Sequence, residues 1–322
     1  MKAVTPIVAS ALMSLAMPAL ADYPNRPVRL IVPFPAGQTT DALARIVAEQ
    51  LTTSLGQSFY IDNRAGAAGI VGMESAKRAE PDGYTLVVAS SGPLAINPSL
   101  YPKLPYDTAK DFSAVSMLVA VPQFLVARTE LPANTVKELV GYVKTRPGQI
   151  NYGSGGAGLT NHLTMEMFGK SAGIQMTHVP YRGSTAAFNG LLAGEISMMF
   201  ESGPVVIPHV KRGVLKVLGV ASKSGSLALP EVPTIDKAGV AGFDSQSWAA
   251  ILAPRGTPTE VIAKLNAAIR QSLDKPVVQR RLNSLGAEPI ASSPDEANAY
   301  IKREVQGWGK IIRDAHIELE QQ

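Results

Sequence analysis

Two stretches of the sequence place small polar residues between an apolar, strand-like run and an amphipathic helix pattern. The first lies between residues 34 and 41 and offers Phe34, Ala36, Gly37, Gln38, Thr39, Thr40 and Asp41. The second lies between residues 154 and 162 and offers Ser154, Gly155, Gly156, Ala157, Gly158, Thr160 and His162. Neither stretch contains Lys or Arg, so an anion bound there would contact backbone N–H groups and hydroxyls at the positive end of a helix. For the first stretch, an ordinary turn with Thr40 or Asp41 as the helix N-cap is the simpler interpretation.

Further candidate residues stand at the ends of other predicted strands. They are Ser90, Ser91, Tyr181, Arg182, Gly183, Ser184 and Glu201. Arg182 would meet a second anionic group of a ligand or lie at the surface, and Glu201 would bind an amine or hydroxyl or act as a solvated or capping acid. His162 would contact a ligand or serve in packing. Ser184 is also predicted as the N-cap of the helix that follows it.

Patterns for other chemistries are incomplete in this chain. Gly153, Gly155 and Gly158 satisfy the spacing of a dinucleotide fingerprint, but that fingerprint also requires an acidic residue about 20 residues further on. No Asp or Glu lies between Glu166 and Glu195. The four His lack the i, i+4 spacing of a zinc motif, and the chain has no Cys. We therefore expect no cofactor, no metal site and no catalytic residue.

The order of the elements predicts an α/β protein. Strand-like runs alternate with helical patterns along the chain, which favours mostly parallel sheets with helices on their faces. The apolar run 114–128 contains Pro122 and is predicted to form two strands, the second of which opens a new lobe. The run 247–253 is predicted to be the strand by which the chain returns to the first lobe.

The length of the chain predicts two lobes. Its 322 residues exceed the usual size of a single hydrophobic core. We expect residues 22–121 and 250–322 to form lobe 1 and residues 122–249 to form lobe 2. The two crossings between the lobes would form a hinge, with the candidate loops facing each other across a cleft.

The first 21 residues are predicted to be a signal peptide. Lys2 supplies a positive start, residues 3–21 carry no charge, and Ala19-Leu20-Ala21 is a small-x-small cleavage signal. We expect cleavage after Ala21 and a periplasmic location. A transmembrane anchor is the alternative, because the uncharged run approaches the ~20 residues that span a bilayer. Two prolines within the run weaken that alternative.

The charge pattern argues against nucleic acid as a partner. The formal net charge is +4, and charged residues make up 17% of the chain. The basic residues are scattered and form no Lys/Arg stripe interleaved with aromatic residues, which is the usual signature of a nucleic-acid-binding surface. The small excess of Lys and Arg therefore indicates no specific partner.

Four segments form a combination that is more specific than any one of them: YPNRPVRLIVPFPAGQTTD, PDGYTLVVASSGPLAINPSLY, INYGSGGAGLTNHL and VPYRGSTAA. Together they resemble the Bug, or TctC-like, family of periplasmic solute-binding proteins of tripartite tricarboxylate transporters, over about residues 22–318. The resemblance implies a two-lobed Venus flytrap of the type II-like periplasmic-binding-protein fold that closes on a small carboxylate. It also implies that the two glycine-containing loops contact the carboxylate, that membrane permease subunits are the partners and that the protein is not an enzyme. We expect a monomer.

Gln38 departs from the family pattern, which resembles P-F-x-x-G-G-x-x-D and places a second Gly there. A side chain at this position would add hydrogen bonds to a distal polar group of the ligand or shrink the pocket. Two alternative functions remain open. One is a ligand-responsive sensor that docks to a membrane kinase. The other is a two-lobed enzyme, for which His162 and Glu201 are the candidate catalytic residues.

Overall fold

The computed structural model of the chain describes residues 23–181, 183–314 and 317. The predicted signal peptide with its cleavage site, the candidate residue Arg182, and His316 lie outside the described residues. Among the helices of the described ranges, none combines the length and the apolar character that crossing a bilayer requires.

Strands and helices alternate along the described chain. The strands are β1 (Val28–Val32), β2 (Phe59–Asn63), β3 (Thr85–Ser90), β4 (Phe112–Arg128), β5 (Asn151–Ser154), β6 (Thr177–Pro180), β7 (Met198–Ser202), β8 (Leu215–Val220), β9 (Gln246–Pro254) and β10 (Glu288–Pro289). The α-helices are α1 (Thr39–Leu55), α2 (Ile70–Lys77), α3 (Asn97–Leu100), α4 (Thr108–Asp111), α5 (Val136–Lys144), α6 (Thr160–Ala172), α7 (Ser184–Ala193), α8 (Gly203–Lys211), α9 (Thr259–Leu273), α10 (Pro276–Ser284) and α11 (Pro294–Asp314). A π-helical segment, Gly92–Ile96, follows β3.

One half of the sheet comes from the first and last parts of the chain. Strands β2, β1 and β3 lie side by side and parallel, with Leu30 opposite Ile61 and Leu86. Strand β9 pairs antiparallel with β3, and β4 pairs antiparallel with β9. Leu30 and its neighbour Ile31 are both fully buried, because packed elements cover both faces of a parallel sheet. Because β1 and β3 run parallel, their carboxyl ends lie at the same edge of this half of the sheet.

Strand β4 crosses from one half of the sheet to the other without a break, so the prediction of two strands is wrong. Its first part, up to Pro122, pairs with β9, and its second part pairs with β7 on one side and β8 on the other. Pro122 lies opposite Gln246, whereas the next residue, Gln123, lies opposite Ser202. Proline has no N–H to donate. Pro122 lies where β4 exchanges its partner β9 for β7 and β8. The strand therefore continues past Pro122 although this residue donates no hydrogen bond.

The other half of the sheet is built from the middle of the chain. Strands β7, β5 and β6 are parallel, with Tyr152 opposite both Met198 and His178. Strand β4 joins them antiparallel through β7, and β8 lies on the other side of β4. Each half thus contains three parallel strands, and the antiparallel pairs involve the two long strands β4 and β9 that connect the halves.

The buried apolar side chains follow the same division. Clusters around Leu43 and around Trp248 pack the first half, and clusters around Phe168 and around Phe188 pack the second. Leu163 of α6 is an exception, because it is buried in the cluster around Trp248 although its helix follows β5 of the second half. The start of α6 therefore packs against both halves.

Candidate functional site

The sequence-predicted site residues lie at the carboxyl ends of the parallel strands in both halves. In the first half these are the loop after β1 and Ser91 after β3. In the second half they are the loop after β5, the turn between β6 and α7, and the end of β7. The halves meet at Ser91, whose Oγ lies 3.5 Å from Thr160 Oγ1 and 3.3 Å from Ser247 Oγ. The structure thus brings α6, which carries the second loop, up to the first half.

Asp41 fixes the conformation of the first loop. Its Oδ2 accepts hydrogen bonds from Gly37 N at 2.8 Å and from Arg45 Nε at 2.9 Å. Its Oδ1 accepts from Asn63 Nδ2 at 3.0 Å, and the same amide donates to the carbonyl oxygen of Phe34 at 3.0 Å. Asp41 is only 2% exposed, so its carboxylate contacts the protein and not the solvent.

Helix α1 begins without a side-chain cap, so the prediction of Thr40 or Asp41 as its N-cap is wrong. The N-cap is Gln38, and its side chain makes no capping hydrogen bond. Burial raises the pKa of Asp41, but hydrogen bonds from Arg45 and the two other donors outweigh it, and the pKa lies below its usual value. Asp41 is therefore charged at neutral pH and lies in the first turn, where the helix dipole favours a negative charge.

The second loop requires glycine at position 155 because it approaches α7 closely. The carbonyl oxygen of Gly155 accepts a hydrogen bond from Gly183 N at 2.9 Å. A Cβ added at Gly155 would lie 2.7 Å from Ser184 N and 2.8 Å from Ser184 Oγ. In the first loop, a Cβ at Gly37 would meet nothing within 4 Å, but the φ of +84° there favours glycine. Gly155 therefore permits a close approach to α7, whereas Gly37 permits a left-handed backbone conformation.

Helices α6 and α7 also begin without side-chain caps. Their N-caps are Leu159 and Gly183, so the prediction of Ser184 as N-cap is wrong. Ser184 is the first residue of α7, and its Oγ accepts a hydrogen bond from Asn161 Nδ2 at 3.2 Å. The first N–H groups of an α-helix have no partner within the helix. Helices α1, α6 and α7 therefore begin at the carboxyl ends of the parallel strands of the two halves, and none of their N-cap side chains makes a capping hydrogen bond. Within the first turn of α6, Asn161 Oδ1 accepts a hydrogen bond from His162 N at 3.0 Å.

Two stacked histidines lie against the second loop. The ring centroids of His162 and His178 are 4.0 Å apart. His162 Nδ1 accepts a hydrogen bond from Gly158 N at 3.1 Å, and His178 Nε2 lies 2.6 Å from Ser154 Oγ. Burial lowers the pKa of each histidine to about 4. Both rings are therefore neutral at pH 7, and His162 accepts a hydrogen bond from the backbone of the loop through its Nδ1.

Two predicted site residues direct their side chains to other partners. The hydroxyl of Tyr181 donates to Glu195 Oε2 at 2.9 Å, although its backbone N donates to the carbonyl oxygen of Ser154 at 3.0 Å. Glu201 is 6% exposed, and its Oε1 accepts hydrogen bonds from Ser202 N and Oγ. Its Oε2 is buried without a partner among the described residues, and burial raises the pKa of this carboxyl.

Five residues that contact the candidate site were not predicted from the sequence: Arg45, Asn63, Asn161, His178 and Ser247. Arg45 follows Asp41 at i+4 on a predicted helix, and this spacing is a signal that could have identified the pair. The others reach their partners through strand register or through packing between the halves. No local pattern in the sequence marks those contacts.

A cavity of about 520 Å³ lies elsewhere on α6. It borders the middle and the end of the helix and is lined by residues that include Glu166, Lys170 and Asp314. It does not include the helix start or the glycines of the loop, so it is separate from the candidate site. Within the described ranges, no three His, Asp or Glu side chains are grouped as a metal ion would require.

Known proteins share this architecture over nearly the whole chain. Protein BugT of Bordetella pertussis is 36% identical over 307 residues, which cover 95% of this chain and 94% of BugT. The structure of R. palustris Rpa4515 with adipate has a TM-score of 0.80 at 36% identity and covers 92% of this chain and 99% of its own. The structure of MatC (Rpa3494) from Rhodopseudomonas palustris with bound malate has a TM-score of 0.75 at 31% identity and covers 90% of this chain and 100% of its own.

These similarities confirm the resemblance to the Bug proteins and the two-lobed α/β fold that it implied. A family model described as "Tripartite tricarboxylate transporter family receptor" matches residues 43–317. The match covers most of α1, the second loop with its stacked histidines, and both long connecting strands. The chain therefore belongs to the TctC family of tripartite tricarboxylate transporter receptors.

Proposed function

We propose that the protein binds a small carboxylate between its two loops and delivers it to a tripartite tricarboxylate-type membrane transporter. The observation that carries this proposal is that α1 in one half and α6 and α7 in the other begin at the carboxyl ends of the parallel strands with no side-chain cap. Backbone N–H groups at helix N termini bind anionic groups such as carboxylates. Relatives of known structure contain adipate and malate, which are both dicarboxylates and support this ligand class.

The proposed contacts come from both sides of the cleft. The loop 34–41, together with Ser90 and Ser91, contributes from the first half, and the loop 154–162 contributes from the second. We place a second polar group of the ligand near Gln38, which is exposed at the start of α1. Glu201, whose Oε2 has no partner in the described part of the chain, and the turn 181–184 would border that end of the site.

Closure of two lobes around the ligand is part of the proposal. Residues 22–121 and 250–322 would form lobe 1, and residues 122–249 would form lobe 2. The four apolar clusters support a partition near these bounds, because two pack each half of the sheet, although Leu163, Trp248 and Ala249 belong to clusters of the first half. Strands β4 and β9 connect the halves, and small dihedral changes in such connections move one lobe against the other.

The remaining parts of the proposal concern location and partners. The signal peptide would be removed after Ala21, and the mature monomer would act in the periplasm. Its partners would be the membrane permease subunits of the transporter, without nucleic acid or cofactor. The protein would bind its ligand without converting it, as the receptor description of its family supports.

Isothermal titration calorimetry on residues 22–322 tests the ligand class. The protein is first unfolded and refolded to remove any ligand that co-purifies with it. A panel of mono-, di- and tricarboxylates is then compared with the matching amides and alcohols. We expect binding of one class of carboxylates and none of the uncharged analogues. Equal binding of a carboxylate and its amide would contradict the proposed anion site, and mass spectrometry of the recovered ligand would reveal any chemical conversion.

A Gln38→Gly variant tests the position of the ligand. Removal of this side chain at the start of α1 should change the order of preference among carboxylates of different length. Gln149→Gly is the matched control, because Gln149 is an exposed loop residue of the same type away from the two loops. An unchanged order in Gln38→Gly would place the distal end of the ligand elsewhere.

A further inference from the structure

Between its two ends the second loop contains no polar side chain that could fix its backbone. Between Ser154 and Thr160 it carries Gly155, Gly156, Ala157, Gly158 and Leu159. Glycine loses more conformational freedom on folding than other residues do. A loop of this composition is ordered before a ligand arrives only if residues outside it bind its backbone.

His162 binds one end of this loop. Its Nδ1 accepts the hydrogen bond from Gly158 N, so the ring proton must lie on Nε2. The donor–acceptor pair is buried, and His162 is 6% exposed. A protonated imidazole has no acceptor, so this contact requires the neutral ring. Without it, the N–H of Gly158 would be buried and unsatisfied, which is unfavourable.

His178 binds the other end of the loop. Its Nε2 lies 2.6 Å from Ser154 Oγ, which is also hydrogen bonded to Gly156 N and O at 3.1 Å. The ring stacks on His162 at a centroid distance of 4.0 Å and an interplanar angle of 23°. Each ring therefore limits the movement of the other, and one stacked pair fixes both ends of the loop.

Tyr152 and Glu166 complete the environment of the pair. The ring of Tyr152 stacks on His178 at 4.9 Å, and its hydroxyl donates to Glu166 Oε1. The same carboxylate oxygen lies 4.0 Å from His162 Nε2, the nitrogen that carries the proton. The pair is thus enclosed by one aromatic ring on β5 and one acid on α6.

We propose that His162 and His178 are positioning residues that hold the second loop in its binding conformation before the ligand arrives, without contacting the ligand themselves. The inference rests on the proposed carboxylate-binding function and adds the residues that prepare the site. Preorganisation increases affinity because the loop need not lose its conformational freedom when the ligand binds.

Substitutions at His162 separate positioning from simple packing. His162→Phe keeps a flat ring for stacking but removes the acceptor for Gly158 N. His162→Gln restores an acceptor without the ring. At pH 7.5 and 25 °C we expect the Kd for the carboxylate to rise at least about tenfold in His162→Phe, which is a difference of about 1.4 kcal/mol. In His162→Gln we expect the Kd to stay within about threefold of the wild type.

His209→Phe is the matched control for these variants. Its ring also packs on an aromatic side chain, Phe188, at 4.9 Å, and it lies at the far end of α8 from the loops. Its Kd should equal that of the wild type. An unchanged Kd in a folded His162→Phe variant would overturn the positioning role while leaving the carboxylate site intact. Absence of carboxylate binding in the wild type would instead contradict the proposed function.

Hydrogen exchange in the ligand-free wild type tests the inference without any variant. The amide of Gly158 should be protected before ligand is added, because His162 already accepts its hydrogen bond. Imidazole ¹⁵N chemical shifts at pH 7 should show a neutral His162 with the proton on Nε2. Exchange of the Gly158 amide at the rate of an unstructured peptide would overturn the proposal.

Discussion

The two loops of the candidate site share one local architecture, but different side chains fix them. A charged carboxylate, Asp41, fixes the first loop through hydrogen bonds with Gly37 N and Asn63 and an ion pair with Arg45. Two neutral imidazoles fix the second. The first loop is largely exposed between residues 35 and 39, whereas Ser154, Gly155 and Gly158 in the second are buried.

This difference shows two ways to prepare the proposed anion site without placing a net charge next to it. In the first loop, Arg45 compensates the charge of Asp41 at 2.9 Å. In the second, burial keeps the stacked histidines uncharged. Either arrangement leaves the positive helix ends as the main electrostatic feature that faces a ligand. The two loops should therefore respond differently to substitution and to pH.

The largest difference is expected between alanine substitutions of the two loop glycines. In Gly155→Ala the Cβ would collide with the backbone of Ser184, and such overpacking costs about 3 kcal/mol. In Gly37→Ala the Cβ has open space, and the left-handed φ costs about 1 kcal/mol. Urea unfolding of both variants measures this contrast. Equal losses of stability would show that the second loop does not depend on close packing against α7.

Removal of the charge from the first loop should have the next largest effect. In Asp41→Asn an amide replaces one acceptor oxygen and places donors opposite Arg45 Nε or Asn63 Nδ2. We expect a loss of about 2 kcal/mol in the free energy of unfolding. Glu74→Gln is the matched control, because Glu74 forms an exposed i, i+4 pair with Arg78 that contributes at most about 0.5 kcal/mol. Similar losses in both variants would contradict the anchoring role of Asp41.

Acidification should affect the second loop before the first. The pKa of His162 falls from 6.5 to about 4 on folding, so its stabilisation is complete above pH 6.5 and decreases as the pH falls toward 4. The pKa of Asp41 is lowered from 3.8, so its stabilisation decreases only below that value. Between pH 7.5 and 5 the wild type should lose up to about 2 kcal/mol through His162.

The comparison with His162→Phe measures the contribution of His162 together with the part of the lowered pKa of His178 that the charge of His162 causes. The raised pKa of Glu201 has the opposite effect, since a buried acid stabilises the fold less as the pH rises. That effect is common to both proteins and cancels in their difference. Urea unfolding at pH 5, 6 and 7.5 should give a steeper loss on acidification for the wild type than for His162→Phe. Parallel pH profiles would show that His162 is not kept neutral in the native state.

The smallest effect is expected where the two halves meet. The hydrogen bonds of Ser91 Oγ to Thr160 and Ser247 are long, at 3.5 and 3.3 Å. We expect Ser91→Ala to reduce the free energy of unfolding by about 0.5 kcal/mol. Its effect on affinity should be larger than its effect on stability if the hydroxyl also contacts the ligand. Calorimetric titration measures the effect of Ser91→Ala on affinity, and urea unfolding measures its effect on stability. An unchanged Kd would remove Ser91 from the proposed site.

Local patterns in the chain were sufficient to predict most of the elements. The apolar run Val28–Val32, the small residues after it and the helical spacing of Leu43, Ile46 and Val47 identified the strand, loop and helix of the first half. The same reasoning identified β5, the glycine loop and α6. Such predictions succeed because strand and helix periodicity depends on neighbouring residues within one element.

The exact helix starts and the continuity of β4 could not be predicted in this way. Asp41 is a good N-cap by residue type, yet Arg45 and Asn63 bind its carboxylate within the first turn, so Gln38 takes the N-cap position. Pro122 indicated a break, yet its missing N–H falls where β4 exchanges one partner strand for another. In both cases contacts with other elements, Asn63 of β2 for the helix start and the partner strands for β4, contribute to the conformation that is most stable.

The arrangement of the site depended on contacts between distant parts of the chain. His178 reaches Ser154 because β6 lies beside β5 in a parallel register, with Tyr152 opposite His178. Ser247 reaches Ser91 because β9 returns between β3 and β4. Composition and spacing identified the loops as anion-binding candidates, since small residues and a helix start are local features. The side chains that hold those loops were set by strand register and packing, which arise only when the whole chain has folded.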